Sequence, residues 1–155
     1  MADSTDPTAK VLFRVSADGD SAETETLWAF NLGDDQYKLD NCPFYAYSVS
    51  LGDVVYAPMD QTEGFPTFRT VVSKSGNRTI RVILDPPVVA GNSSDVVLKE
   101  LVALGCSYEG ANPRYIVINV PPLADLNAVA TYLTVRKLTW EHSDPTYDEL
   151  YPDDA

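Results

Sequence analysis

The stretch Tyr115-Ile116-Val117-Ile118-Asn119-Val120-Pro121-Pro122-Leu123-Ala124-Asp125-Leu126 decides the fold class. Its first six residues are β-branched or aromatic apart from one Asn, which suits a strand. Pro121-Pro122 lacks the amide donors a ladder needs, so the strand must end there. Asp125 then reads as an N-cap, with Leu126, Val129, Ala130 and Leu133 recurring on one helical face. Upstream, Gly110-Ala111-Asn112-Pro113 is a turn that follows a short strand at 106–109. Before it, Val97, Leu98, Leu101 and Val102 predict a helix over about 95–104, with Ser93 and Ser94 as candidate N-caps and Gly105 as the C′ residue. A strand at 78–84 precedes that helix, and a last strand at 138–142 follows the second. From residue 78 the order is therefore β-α-β-β-α-β. This is the ferredoxin-like, split-βαβ pattern, in which two helices cover one face of a four-stranded antiparallel sheet.

The first half reads as all-β. Residues 10–16 alternate, with Val11, Phe13 and Val15 on one face, and Asp18-Gly19-Asp20 is a turn. A second strand at 24–31 is expected to pack Trp28 and Phe30 the same way. Gly33-Asp34-Asp35 turns the chain into a third strand at 36–39. The segment 44–50 is aromatic and β-rich. Leu51-Gly52-Asp53 turns into a strand at 54–57, and 58–66 is a loop. Short strands with frequent turns predict a small antiparallel barrel or rolled sheet. Strands at 68–73 and 78–84 flank Lys74-Ser75-Gly76-Asn77, a hairpin signal. The fold class is thus α+β. We divide the chain into a disordered tail at 1–9, an all-β subdomain at 10–73, a ferredoxin-like subdomain at 74–142 and an acidic tail at 143–155. The join is too short for a flexible linker, so the halves are expected to pack rigidly.

The chain has 155 residues, enough to fold without a metal or disulfide. Its net charge is -12, and seven of those charges lie in residues 1–9 and 143–155, which hold no Lys or Arg. Such ends keep a protein soluble, and they also suit a basic partner. Nucleic-acid binding is disfavoured, because no basic stripe appears. Cys42 and Cys106 sit in apolar contexts and read as buried free thiols, although a bridge between them is open. There is no signal peptide and no run long enough to span a membrane, so a cytoplasmic protein is expected.

Catalytic and metal chemistry find little support. His142 is the one histidine and has no coordinating neighbours at metal spacing. Cys42 has no base beside it, and Asp40 would raise its pKa. Asp34, Asp35, Asp40 and Asp53 lie mostly in turns, where Asp serves the backbone. No cofactor is expected.

Pro43-Phe44-Tyr45-Ala46-Tyr47 supports a sharper reading. Alternation would send Phe44, Ala46 and, if it continues, Ser48 one way and Tyr45, Tyr47 and Val49 the other. One aromatic set then leaves the barrel core, either to pack between subdomains or to form a recognition patch. Asp40, Asn41, Tyr45, Tyr47 and Asp53 are the candidate binding residues. Arg69, Arg78 and Arg81, placed on adjacent strands, are candidates to add a basic counterpart or to pair with the acids.

Trp28-Ala29, Leu32-Gly33, Tyr37, Leu39-Asp40-Asn41, Pro43-Phe44, Ala46-Tyr47, Val49-Ser50 and Gly52-Asp53-Val54-Val55 together resemble a bacterial family, domain of unknown function 4265. The resemblance runs on through Val71-Val72, Ser75-Gly76, Thr79-Arg81, Leu104-Gly105-Cys106 and Val120-Pro121-Pro122, spanning about 10–142. It implies a small, soluble, usually stand-alone bacterial protein and carries no established activity, cofactor or catalytic residue. Two functions are expected from the whole reading. The first is a non-enzymatic protein-binding module, in its concrete form an immunity-type protein that neutralises a basic toxin. The second is a small-molecule-binding or self-associating regulatory module, a homodimer if the open sheet face is uncovered. A hydrolase with an unrecognised site is the least favoured.

Overall fold

A computed structural model describes residues 7–16 and 22–154. The protein is α+β: mostly strands, with a few short helices. It divides into two compact units, Met1–Ser75 and Gly76–Ala155.

The first unit is built on an antiparallel sheet of β1 (Ala9–Ser16), β2 (Ala22–Gly33), β3 (Gln36–Leu39), β4 (Val54–Tyr56) and β7 (Thr70–Ser73), in the order β1-β2-β3-β4-β7. The sheet curls as a half barrel, and β1 and β7 remain its two edges. The expected barrel or rolled sheet is thus an open, curled sheet. The β2–β3 hairpin turns on Asp34 and Asp35, both at positive φ (57° and 60°). That is the left-handed pair a two-residue turn needs to match strand twist. Register sets the faces: Val11 opposes Leu27, and Phe13 opposes Glu25. Val11, Phe13, Leu27, Ala29, Tyr37, Leu39 and Val55 make the core, with Ala46, Val49 and Ala57. Phe68 stacks on Phe13 at 4.8 Å.

Several expectations are corrected here. Trp28 does not pack inward with Phe13. It opposes Lys10 on the outer face, and the Lys10 ammonium lies 4.6 Å from its ring centroid. Residues 44–50 form no strand. The loop at 58–66 contains a small hairpin of β5 (Met59–Asp60) and β6 (Phe65–Pro66). Lys74-Ser75-Gly76-Asn77 is not a hairpin turn, because β7 pairs with β4 and not with the strand that follows. The turn expected at 18–20 lies outside the described residues, as do residues 1–6 of the expected tail. Ala9 already belongs to β1.

The second unit holds β8 (Arg78–Ile83), α1 (Ser93–Ala103), β9 (Ser107–Gly110), β10 (Tyr115–Val120), α2 (Leu126–Val135) and β11 (Thr139–Asp144). Its antiparallel sheet runs β11-β8-β10-β9. Alternate residues Ile80, Val82 and Leu84, with Ile116, Ile118 and Val120, pack against Val97, Leu98 and Leu101 of α1 and Val129 and Leu133 of α2. Both helices therefore cover one sheet face. Asp125 caps α2 through the Ala128 amide. The α1 cap is Asn92, not Ser93 or Ser94: its side chain accepts from the Asp95 amide, while Ser94 Oγ donates to the Pro86 carbonyl. The acidic segment from residue 143 is also structured. It completes β11 through a bulge between His142 and Asp144, and then forms α3 (Tyr147–Leu150). Thr146 and Glu149 close a reciprocal capping box on that helix.

Candidate functional site

After β3 the chain leaves the sheet but stays tied to it. The Asp40 amide donates to the Trp28 carbonyl, and the Trp28 amide donates to Asn41 Oδ1. Asn41 thus serves as a side-chain rung where the ladder ends. Cys42, Pro43, Ala46 and Val49 are then buried, while Tyr45 and Tyr47 remain 48% and 49% exposed.

One carboxylate explains why this aromatic run is not a strand. Glu25 sits on the inward face of β2 and is only 8% exposed. Its carboxylate accepts from three successive amides, Phe44 (2.6 Å), Tyr45 (3.2 Å) and Ala46 (2.9 Å). Donors that a ladder would otherwise satisfy are gathered onto one charged acceptor. The strict alternation expected across 44–49 does not hold, since Ser48 is exposed and at positive φ (67°).

A second buried carboxylate closes the far end. Asp53 is 0% exposed. Its oxygens accept from the Ser50 amide (2.9 Å), the Ser75 amide (2.8 Å) and Lys74 Nζ (2.6 Å). Lys74 Nζ also donates to the Ser48 carbonyl, and Ser75 Oγ to that of Leu51. The end of β7 is therefore stitched to the turn at 50–53. Asp53 holds the backbone and is not a surface contact.

The other candidates scatter. Asp40 is exposed, and its amide is used in the fold. Arg69 precedes β7 in the first unit, near Asp60, whose carboxyl is held below its usual range first by the Glu63 amide and only least by the Arg69 charge. Arg78 and Arg81 both lie on β8 of the second unit. Arg78 spends its guanidinium on the carbonyls of Val120, Pro121 and Ala124. Arg81 is buried and pairs with Glu141 of β11 at 3.7 Å. The expectation that Arg69 lies on a strand adjacent to the other two is therefore corrected, since β7 and β8 belong to different sheets.

Residue-by-residue reading missed Glu25, Lys74 and Ser75. Glu25 carried a usable signal: it alternates in step with Leu27 and Ala29, and a charge at an inward strand position requires partners. The remaining reactive groups are muted by burial. The Cys106 thiol is pushed up by desolvation, partly offset by the charge of Arg78. The His142 imidazole is pushed down by desolvation. Its Nδ1 is buried without a hydrogen-bond partner among the described residues, and its ring meets Trp140 edge-on at 4.9 Å.

Residues 25–142 match the model of a family described as a domain of unknown function, DUF4265. The chain belongs to this family. The match opens on Glu25 and takes in Asp53 and Lys74, so the braced segment lies wholly within the DUF4265 region. No curated protein matches the chain. Among solved structures it is similar to a hypothetical protein from Neisseria gonorrhoeae, at 17% identity and a TM-score of 0.74 over 90% of this chain and 96% of that one. Likeness at that identity speaks for the fold alone. Among the described residues no helix is long and apolar enough to cross a membrane.

Proposed function

We propose that this DUF4265 protein is a non-enzymatic protein-binding module, with Tyr45 and Tyr47 as its anchors. The observation that carries the reading is the bracing of their segment by Glu25 and Asp53. An exposed segment costs entropy to order on binding, and a pre-organised one avoids most of that cost. Tyr side chains are favoured anchors because they offer large contact area with few rotatable bonds. The net charge of -12 selects a basic partner. The concrete form is a cytoplasmic immunity-type protein of a bacterium, neutralising a basic toxin. For the second unit we read a ferredoxin-like arrangement, supported by the β-α-β-β-α-β order and the sheet order β11-β8-β10-β9.

The test is co-purification from the native host, with the wild type beside Tyr45→Ala/Tyr47→Ala. One stoichiometric basic protein, lost from a double variant that keeps the wild-type melting temperature, supports the reading. No partner, or a partner retained by the double variant, overturns it.

A further inference from the structure

The second sheet ends on β9, and the outer edge of that strand shares no residue with the Tyr45 and Tyr47 segment. In an antiparallel ladder, pairs that exchange hydrogen bonds alternate with pairs that do not. The Ala111 amide donates to the Tyr115 carbonyl, which fixes the phase of β9 beside β10. Ser107 and Glu109 are therefore the positions that bond to Asn119 and Val117, and Tyr108 and Gly110 are the intervening ones. The amides and carbonyls of Tyr108 and Gly110 point away from β10. Since β9 is the last strand of its sheet, these four groups line an open edge.

Native sheets ordinarily blunt their edges against added strands. Here β1 meets Thr67 through a parallel bridge at Leu12, β7 shifts register against β4, and β11 is bulged between His142 and Asp144. By contrast, β9 pairs with β10 in unbroken register, and Ser107-Tyr108-Glu109-Gly110 contains neither Pro nor Lys. Apolar surface lies beside this edge. Tyr108 opposes Ile118 of the helix-covered core, so its side chain is on that face, and it is 44% exposed. Helix α1 lies against β9. Its Glu100 turns to α2 by pairing with Arg136. Val102 is about half a turn further round the helix, on the flank away from α2, and is exposed.

We propose that the β9 edge takes a short extended segment of a partner protein as a fifth, antiparallel strand, with a Lys or Arg between two apolar residues. The apolar pair stands opposite Tyr108 and Gly110, exchanges hydrogen bonds with all four groups, and lays its side chains toward Tyr108 and Val102. The basic residue stands opposite Glu109, the one charged side chain of β9. Charge selects this occupant over a second copy. The self-paired register that uses all four groups sets Glu109 opposite its own copy, in the closer type of pair, with Cα atoms about 4.5 Å apart. Like charges so placed are destabilising, and a net charge of -12 on each chain adds general repulsion. A basic residue at that position reverses both effects.

The test titrates acetyl-Thr-Val-Lys-Val-Thr-amide into the full chain labelled with nitrogen-15. The amide signals of residues 108 and 110 are expected to move downfield and to saturate. Those of 107 and 109 should move less, because their amides already bond to β10. Replacing the central Lys of the probe with Glu should weaken binding about fivefold, the swing from an attractive to a repulsive cross-strand pair. N-methylation of both Val residues removes the donors that face β9 and should abolish the shifts. N-methylation of the Lys, whose amide faces away, should leave them. No saturable movement at 108 and 110 overturns the proposal. Undiminished binding of the Val-methylated probe also overturns it, since backbone pairing is then not the contact. Equal affinity for the Lys and Glu probes overturns the basic partner. Downfield shifts that follow protein concentration without any probe would give the edge to a second copy and overturn the proposal as well.

Discussion

Lys74 Nζ lies 2.6 Å from Asp53 Oδ2, an exposed ammonium set against a carboxylate with no solvent exposure. The pair joins the end of β7 to the turn at 50–53, two segments separated by some twenty residues. Desolvating a carboxylate is costly unless it is fully hydrogen-bonded, and Asp53 meets that condition with two amides and one ammonium.

Asp53→Ala is expected to destabilise the protein by about 3–5 kcal/mol, because it strands the Ser50 and Ser75 amides. Lys74→Ala should cost less, about 1–2 kcal/mol, since the amides still hold Asp53 and the ammonium is partly solvated. Urea unfolding of both variants measures the difference. Equal costs would mean that the ammonium, not the amides, carries the interaction.

Glu25→Ala removes the acceptor shared by the amides of Phe44, Tyr45 and Ala46. A loss of about 2–4 kcal/mol is expected. Hydrogen exchange offers the more local readout: protection at 44–46 should fall further than protection in β10. Unchanged exchange at those amides would refute the bracing role. The same variant should weaken any partner that docks on Tyr45 and Tyr47, by loosening their backbone.

Burial lowers the His142 pKa from its ordinary 6.5. Above that pH both folded and unfolded chains hold a neutral imidazole, and the contribution to stability is complete. As pH falls through 6.5 the unfolded chain takes up the proton first. Stability is then lost progressively until the folded pKa is passed. His142→Gln should therefore flatten the stability profile between about pH 6.5 and pH 5, the window in which an unperturbed imidazole titrates. Chemical unfolding at several pH values gives the slope for each chain. Parallel slopes would place the acid sensitivity elsewhere.

Cys42 and Cys106 are both buried, and neither is in a disulfide. Burial raises the Cys106 pKa, which lowers the thiolate fraction at neutral pH. Folded protein should therefore react slowly with a disulfide reagent, and both thiols should titrate rapidly once denaturant is added. Fast modification of native protein at Cys106, located by peptide mapping, would contradict the buried placement.

Local sequence by itself determined most of the element order. Gln36–Leu39 and Tyr115–Val120 are bounded as the alternation and the turn residues predict. Asp125 caps α2 because a short acceptor before an apolar periodic run has few other uses. These features depend on neighbours a few residues apart, which a sequence displays directly. Family membership was legible too, in the dense block around Leu39-Asp40-Asn41 and Gly52-Asp53.

Tertiary structure decided what those elements do. Residues 44–50 carry strand-forming side chains, yet Glu25, some twenty residues away, supplies the acceptor that takes their amides. Residues 74–77 carry hairpin chemistry, yet β7 finds its partner in β4. Trp28 looked like core, but the pairing of Val11 with Leu27 sets the face, and Trp28 falls on the other one. Asp53 looked like a turn residue and became a fully buried hub. In each case the outcome turns on which distant group satisfies a backbone donor or opposes a strand position. That depends on long-range pairing, and local propensity is silent about it.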